Sequence, residues 1–235
     1  MAALTSLGRN FRALVIGASG GIGAAFVDVL RTDPACGQVV TLSRQADGLD
    51  ITDEVSLATA AERLAAQGMM FDLILCATGA LTINGIGPEK AIKAVSAETM
   101  AAQFAVNAIG PALVLKYFSP LLAKNSRSIM AFLSARVGSI GDNRLGGWIS
   151  YRSSKAALNQ IVHTAAIEIA RLRPYAVVIS LHPGSVATSL STPFAAGHAR
   201  MVPPESAELL LNVLNRLSPD QSGGFFAYDG SKIEW

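Results

Sequence analysis

Five short runs, residues 13–16, 39–42, 73–76, 129–133 and 176–181, are apolar at successive positions instead of alternating with polar ones. This feature constrains the fold most. A strand with one face in water alternates, whereas a strand apolar on both faces must be covered on both, as in a parallel sheet between two layers of helices. Longer amphipathic segments separate the runs and predict helices at 21–31, 53–67, 97–123, 150–171 and 205–217, with Pro111 expected to kink the third. The expected fold class is therefore a doubly wound α/β protein of three layers, in a single domain spanning 1–235. With 51% hydrophobic and 15% charged residues, the composition excludes disordered, collagen-like and coiled-coil chains. Nineteen basic against 17 acidic residues, without a basic run, carry no electrostatic footprint for nucleic acid. No uninterrupted apolar stretch approaches the ~20 residues of a spanning helix, so no membrane partner is expected. The N-terminal segment lacks a charged region ahead of an apolar one, and a cytoplasmic location is expected. Cys36 and Cys76 belong to no CxxC or Cys/His cluster, so neither a disulfide framework nor a metal site is implied.

The first chemical signal is the segment Gly17-Ala18-Ser19-Gly20-Gly21-Ile22-Gly23, which joins the first strand to the first helix. An open parallel sheet places its ligand crevice there. Glycines let a backbone turn sharply and approach a pyrophosphate, and the new helix offers free N–H donors at its N-terminus. The spacing departs from G-x-G-x-x-G, and a plain tight turn is the competing explanation. At the end of the second strand, Ser43 and Arg44 stand where an acidic residue would bind a ribose 2′-hydroxyl. A hydroxyl and a guanidinium suit a 2′-phosphate, which favours NADP(H) over NAD(H). Asp47 nearby counts toward NAD(H), and Arg44 could equally be a solvated loop charge. Asp50, followed by Ile51, is either an acceptor for the adenine amino group, the favoured reading, or a helix cap.

Tyr151 and Lys155 are four residues apart on a predicted helix and so share a face. An ammonium beside a phenol lowers the phenol pKa from its usual ~10, so that it can exchange a proton with a substrate oxygen. Ser134, at the carboxyl end of the strand at 129–133, could hold a carbonyl oxygen beside Tyr151. Each feature alone has an ordinary explanation: a surface pair, or a turn serine. Together they are specific.

From about Arg12 to Trp235 the chain resembles the short-chain dehydrogenase/reductase family, whose fold is of the Rossmann type. The family's glycine motif matches Gly17, Gly21 and Gly23, and its catalytic tetrad matches Asn107, Ser134, Tyr151 and Lys155. The resemblance implies hydride transfer between a nicotinamide and a carbonyl carbon, with Tyr151 as proton donor, Lys155 also on the nicotinamide ribose, and Asn107 holding a relay water. It further implies cofactor contacts at Ser19, Gly20, Ile22, Gly79, Pro183, Gly184, Val186 and Thr188. The strings at 88–90, 106–111, 134–140, 146–148 and 224–230 resemble the C-factor-like/sniffer-like branch. Two departures stand out: Cys76-Ala77-Thr78-Gly79 replaces Asn-Asn-Ala-Gly, and Ile16 replaces the usual Thr.

About 15 residues separate Thr188 from the next helix, a short span for a substrate-covering lobe. Leu145, Trp148, Phe194 and Met201 would wall an open apolar site suited to a small or medium aldehyde, ketone or quinone, or the matching alcohol. His182 and His198 are read as structural. The helices at 97–123 and 150–171, with small residues Ala101, Ala102, Ala105, Ala157, Ala165 and Ala166, resemble the family's paired-helix interface and imply a homodimer or homotetramer. The competing function is a dinucleotide-binding regulatory or signalling protein with little turnover. A related epimerase or dehydratase is a third possibility.

Overall fold

The computed structural model describes residues 4–192 and 200–235. Six parallel strands form one sheet: β1 (Phe11–Ile16), β2 (Cys36–Leu42), β3 (Leu73–Cys76), β4 (Ser128–Leu133), β5 (Ala176–His182) and β6 (Phe225–Ala227), in the order β2-β1-β3-β4-β5-β6. The fold is thus the doubly wound, Rossmann-type α/β sheet expected. The chain proceeds from β1 outward to β2, then returns to β3 on the other side of β1. This reversal opens a crevice at the carboxyl ends of β1 and β3.

The two apolar faces of each strand meet two separate layers. Ala13 and Val15, Ile129 and Ala131, and Val177 and Ile179 face one core together with α1 (Gly21–Thr32) and α7 (Pro203–Arg216). Leu14 and Ile16, Met130 and Phe132, and Val178 face the other, under α3 (Glu54–Ala66), α5 (Gly110–Phe118) and α6 (Ile149–Leu172). Alternate residues of one strand therefore serve opposite cores.

Three local features differ from the sequence reading. The strand β6 was not anticipated, because three residues behind Gly223 and Gly224 give too short a pattern. The helix expected at 97–123 is α4 (Ala97–Phe104), a π-helical turn (Ala105–Ile109) and α5. Pro111 has no N–H for the Asn107 carbonyl, and the irregularity falls upstream of the proline as one widened turn rather than as a kink at it. A four-residue helix, α2 (Arg44–Asp47), also follows β2. By length and composition alone the stretch Ala97–Leu121 could cross a membrane. In the fold it buries Val114, Leu115 and Phe118 against the sheet.

Candidate active site

The carboxyl ends of the strands deliver the site. After β1, Gly17 takes a φ of 87° and the turn runs into α1, capped by Gly20. A Cβ on Gly23 would lie 2.1 Å from the Gly17 carbonyl oxygen, and one on Gly21 would lie 2.7 Å from Thr188 Cγ2. Only hydrogen fits against the backbone at Gly23, whereas at Gly21 the Thr188 side chain would have to shift. The spacing that departs from the common fingerprint is thus the spacing this turn needs, and Thr188 closes over it.

After β2, Ser43 Oγ accepts from Ala46 N at 3.1 Å and caps α2, while Asp47 Oδ2 accepts from Ser43 N at 2.8 Å. Asp47 is folded back onto its own turn, which weakens its claim on a ribose hydroxyl. Arg44 forms no ion pair among the described residues and borders the cleft. The capping role weighed for Asp50 belongs to Asp53, whose side chain accepts from Val55 N. Asp50 Oδ1 instead accepts from Thr52 N and Thr52 Oγ1, at 2.8 and 2.7 Å, which holds its carboxyl below the usual range.

After β3, the Cys76-Ala77-Thr78-Gly79 departure leaves the sheet intact: Ala77 N donates to Ile16 O at 2.8 Å. A Cβ on Gly79 would stand 3.2 Å from Lys155 Nζ and 3.3 Å from Asn107 Oδ1. Asn107, fully buried on the π-helical turn, donates from Nδ2 to Ala80 O and Gln103 Oε1 and accepts from Ala80 N. Both amide hydrogens are committed to the protein, so a relay water could meet this side chain only through Oδ1. What Asn107 visibly does is pin the segment after β3 beside Lys155.

After β4 comes Ser134, and α6 brings Tyr151 and Lys155 to it. All three are at least nine-tenths buried. Lys155 Nζ donates to Leu133 O at 2.9 Å and lies 5.9 Å from the Tyr151 ring centroid. Burial lowers the Lys155 ammonium to about 8 and raises the Tyr151 phenol above its ordinary value. The lowering expected of the phenol is therefore reversed: desolvation outweighs an ammonium several ångströms away. Tyr151 is held as the neutral acid. After β5, Pro183 reaches the cleft, whereas Gly184 packs against Met201 and Tyr228, and Val186 is buried in a bridge to Met201.

The result is one continuous cleft. A compartment of about 220 Å³ is lined by Gly21, Ile22, Ser134, Tyr151, Lys155 and Thr188 among others. A larger one of about 750 Å³, bordered by Gly17, Ser19, Ser43, Arg44, Asp50 and Ile51, shares Gly20, Thr78 and Gly79 with it. Gly23, Asn107, Gly184 and Val186 support this cleft without lining it. Trp148 meets Tyr151 edge-on at 6.3 Å, but Leu145 is 92% exposed and walls nothing, since the Gly146-Gly147 turn leaves it in solvent. Phe194 and His198 lie outside the described residues. His182 Nδ1 accepts from Arg136 N at 3.3 Å, and burial chiefly lowers its imidazole to about 4, which keeps it a neutral structural group. Sequence reasoning missed Glu89, whose carboxylate accepts from Ser150 N and Oγ just before Tyr151, and Gly138, where a Cβ would come within 2.8 Å of Lys155 Cβ.

The cradle fits a dinucleotide by shape and charge. Glycines stand where side chains would fill it, a helix N-terminus faces it, and an unpaired guanidinium lies at the far end. The class so defined is that of Rossmann-type dinucleotide-binding oxidoreductases. Residues 20–208 match the family model described as enoyl-(acyl carrier protein) reductase. The chain is 30% identical over 188 residues, 80% of its length and 79% of the relative's, to 1-hydroxy-2-glutathionyl-2-methyl-3-butene dehydrogenase of Rhodococcus sp. (strain AD45). It is 37% identical over 137 residues, 58% of its length and 78% of the relative's, to C-signal of Myxococcus xanthus, a relative in keeping with the expected branch. The NADPH-bound carbonyl reductase from chicken fatty liver superposes with a TM-score of 0.81 at 25% identity, covering 97% of this chain and 95% of that one. This protein belongs to the short-chain dehydrogenase/reductase family and is an NAD(P)-dependent oxidoreductase.

Proposed function

We propose that the protein is an NADP(H)-dependent carbonyl reductase, interconverting a small or medium aldehyde, ketone or quinone with its alcohol. The observation that carries this reading is the convergence of Ser134, Tyr151 and Lys155 on the compartment bordered by the glycine turn. The nicotinamide coenzyme, when bound, supplies or accepts the hydride. Ser134 then holds the carbonyl oxygen by its hydroxyl. Tyr151 gives that oxygen its proton as the carbonyl carbon is reduced, and Lys155 stabilises the phenolate left behind. A neutral phenol, which burial enforces here, is the form that reduction requires. Alcohol oxidation needs the phenolate and should rise with pH.

The preference for NADP(H) is supported by Arg44 at the end of the cleft and by the return of Asp47 onto its own turn. The NADPH named for the chicken liver structure points the same way. Exposed Ile109, Ile167 and Leu172 on the helices α5 and α6 or beside them go with a homodimer or homotetramer, though Ala166 is buried within the chain's own core; a cytoplasmic location is part of the proposal.

The test follows oxidation of NADPH, with NADH in parallel, against aldehydes, ketones and quinones, using Tyr151→Phe as control. Turnover that the variant lowers by at least about 10²-fold while still binding NADPH supports the reading. Tight NADPH binding with no turnover of any carbonyl would favour the binding-only function.

A further inference from the structure

The hydroxyl that should hold a substrate oxygen is already engaged. Ser134 Oγ donates to Asn159 Oδ1 at 2.7 Å, and both residues are almost fully buried. Asn159 lies on α6 one turn beyond Lys155 and two turns beyond Tyr151, on the same face of the helix. The other end of its amide, Nδ2, is buried without a hydrogen-bond partner.

A serine hydroxyl has one proton. While Asn159 Oδ1 accepts that proton, Ser134 presents only lone pairs to a carbonyl oxygen, which repel it. Rotation of the amide by 180° about Cβ–Cγ exchanges its two ends. Nδ2 then donates to Ser134 Oγ, and the serine proton is free for the substrate. Either orientation leaves one amide end bonded to Ser134 and the other without a partner, so the exchange adds no unsatisfied group. No other side chain is bonded to Ser134 among the described residues.

We propose that Asn159 is a positioning residue of the reductase, acting on substrate only through Ser134 by changing from hydrogen-bond acceptor to donor. The inference rests on the carbonyl reductase reading. It predicts that a side chain able only to accept harms turnover more than one unable to bond at all. Asn159→Asp fixes the acceptor, and Asn159→Ala removes it.

The experiment measures kcat and KM for an aldehyde substrate, and Kd for NADPH, in wild type, both variants, and each variant combined with Ser134→Ala. At pH 8.5, Asn159→Asp should lower kcat/KM about 10²-fold, as loss of an oxyanion donor does, and Asn159→Ala by about tenfold or less. NADPH affinity should change less than about twofold in both. The ratio of Asn159→Asp to wild type should recover toward pH 6, because a protonated carboxyl can donate to Ser134. In the Ser134→Ala background neither substitution should cost anything further.

Wild-type rates in Asn159→Asp, a ratio indifferent to pH, or a loss that persists in Ser134→Ala would each overturn the proposal. If Asn159→Asp does not fold, judged by NADPH binding, the same cycle with Asn159→Ala decides: its loss vanishes in Ser134→Ala for a positioning role and persists for a structural one. Absence of turnover in wild type overturns the reductase reading and this inference with it, an outcome distinct from all of these.

Discussion

Tyr151 reaches the cleft because α6 begins at Ile149, and that start is held by a carboxylate 61 residues upstream. Trp148, just before the helix, has a φ of 54°, unfavourable for a bulky side chain, and offers no capping group. Glu89 does the capping from outside. Its Oε2 accepts from Ser150 N at 3.2 Å, its Oε1 accepts from Ser150 Oγ, and its backbone carbonyl accepts from Trp148 N. Burial raises its pKa, but the hydrogen bonds from Ser150 more than offset this, and the carboxyl is held below its usual value. Glu89→Ala leaves the N–H and hydroxyl of Ser150, which is 0% exposed, without partners. Hydrogen bonds to a charged acceptor contribute about 1.5–3 kcal/mol each and two on one carboxylate do not add fully, so the expected loss is about 3 kcal/mol. Glu89→Gln keeps an acceptor for the N–H and a donor for the hydroxyl, and should cost only about 1 kcal/mol. Urea unfolding at fixed protein concentration measures both. The pH dependence has a definite sign. A folded pKa below the unfolded ~4.3 contributes stability fully above that value and loses it as pH falls through the folded one. The gap between wild type and Glu89→Gln should thus be constant from pH 6 to 8 and shrink below about 4.5. Glu89→Ala within about 0.5 kcal/mol of wild type, or a gap that widens in acid, would refute the capping argument.

Arg44→Ala should weaken NADPH by about 10- to 30-fold, as befits one charge-assisted contact, and NADH by less than about twofold; equal losses in a fluorescence titration would remove Arg44 from the 2′-phosphate site. Gly23→Ala places a methyl 2.1 Å from the Gly17 carbonyl oxygen and should abolish cofactor binding or folding, whereas Gly48→Ala, with open space around it but a φ of 68°, should cost only about 1 kcal/mol in urea unfolding. Lys155 has a folded pKa of about 8, below its unfolded ~10.4, so the folded chain loses its proton first and stability rises with pH between those values. Lys155→Met should remove that rise and be at least as stable as wild type at pH 7, with turnover abolished; a variant clearly less stable there would contradict a desolvated ammonium.

The sheet was legible because its information is local and repeated. A run such as Ala13-Leu14-Val15-Ile16 states in four residues that both faces are covered, and the structure divides those residues between two cores. The glycine turn was legible for a related reason: Gly23 is fixed by the approach of the Gly17 backbone, which leaves no room for a Cβ. Where competition decides, the sequence was less informative. Asp47, Asp50 and Asp53 are the same residue type within seven positions, and which of them caps a helix depends on where α2 turns the chain. The Tyr151 phenol went the wrong way because spacing reveals the neighbouring charge but not the depth of burial.

The side chains that hold the site were the least visible, and their chain separations explain it. Glu89 serves Ser150 from 61 residues away, and Asn159 serves Ser134 across 25. Read alone, Glu89 is a loop carboxylate and Asn159 a polar residue in a helix. Glu89 acquires its role only when the segment after β3 meets the start of α6. Asn159 acquires its own only when β4 and α6 are brought together, since Ser134 follows the one while Tyr151, Lys155 and Asn159 succeed each other at four-residue intervals on the other. That helix face was available in the sequence: the pairing that linked Tyr151 to Lys155 continues, by one more turn, to Asn159. Extending a catalytic spacing along its own helix is therefore a physical way to find the residues that orient a site, and the Ser134→Ala cycle tests whether it succeeded here.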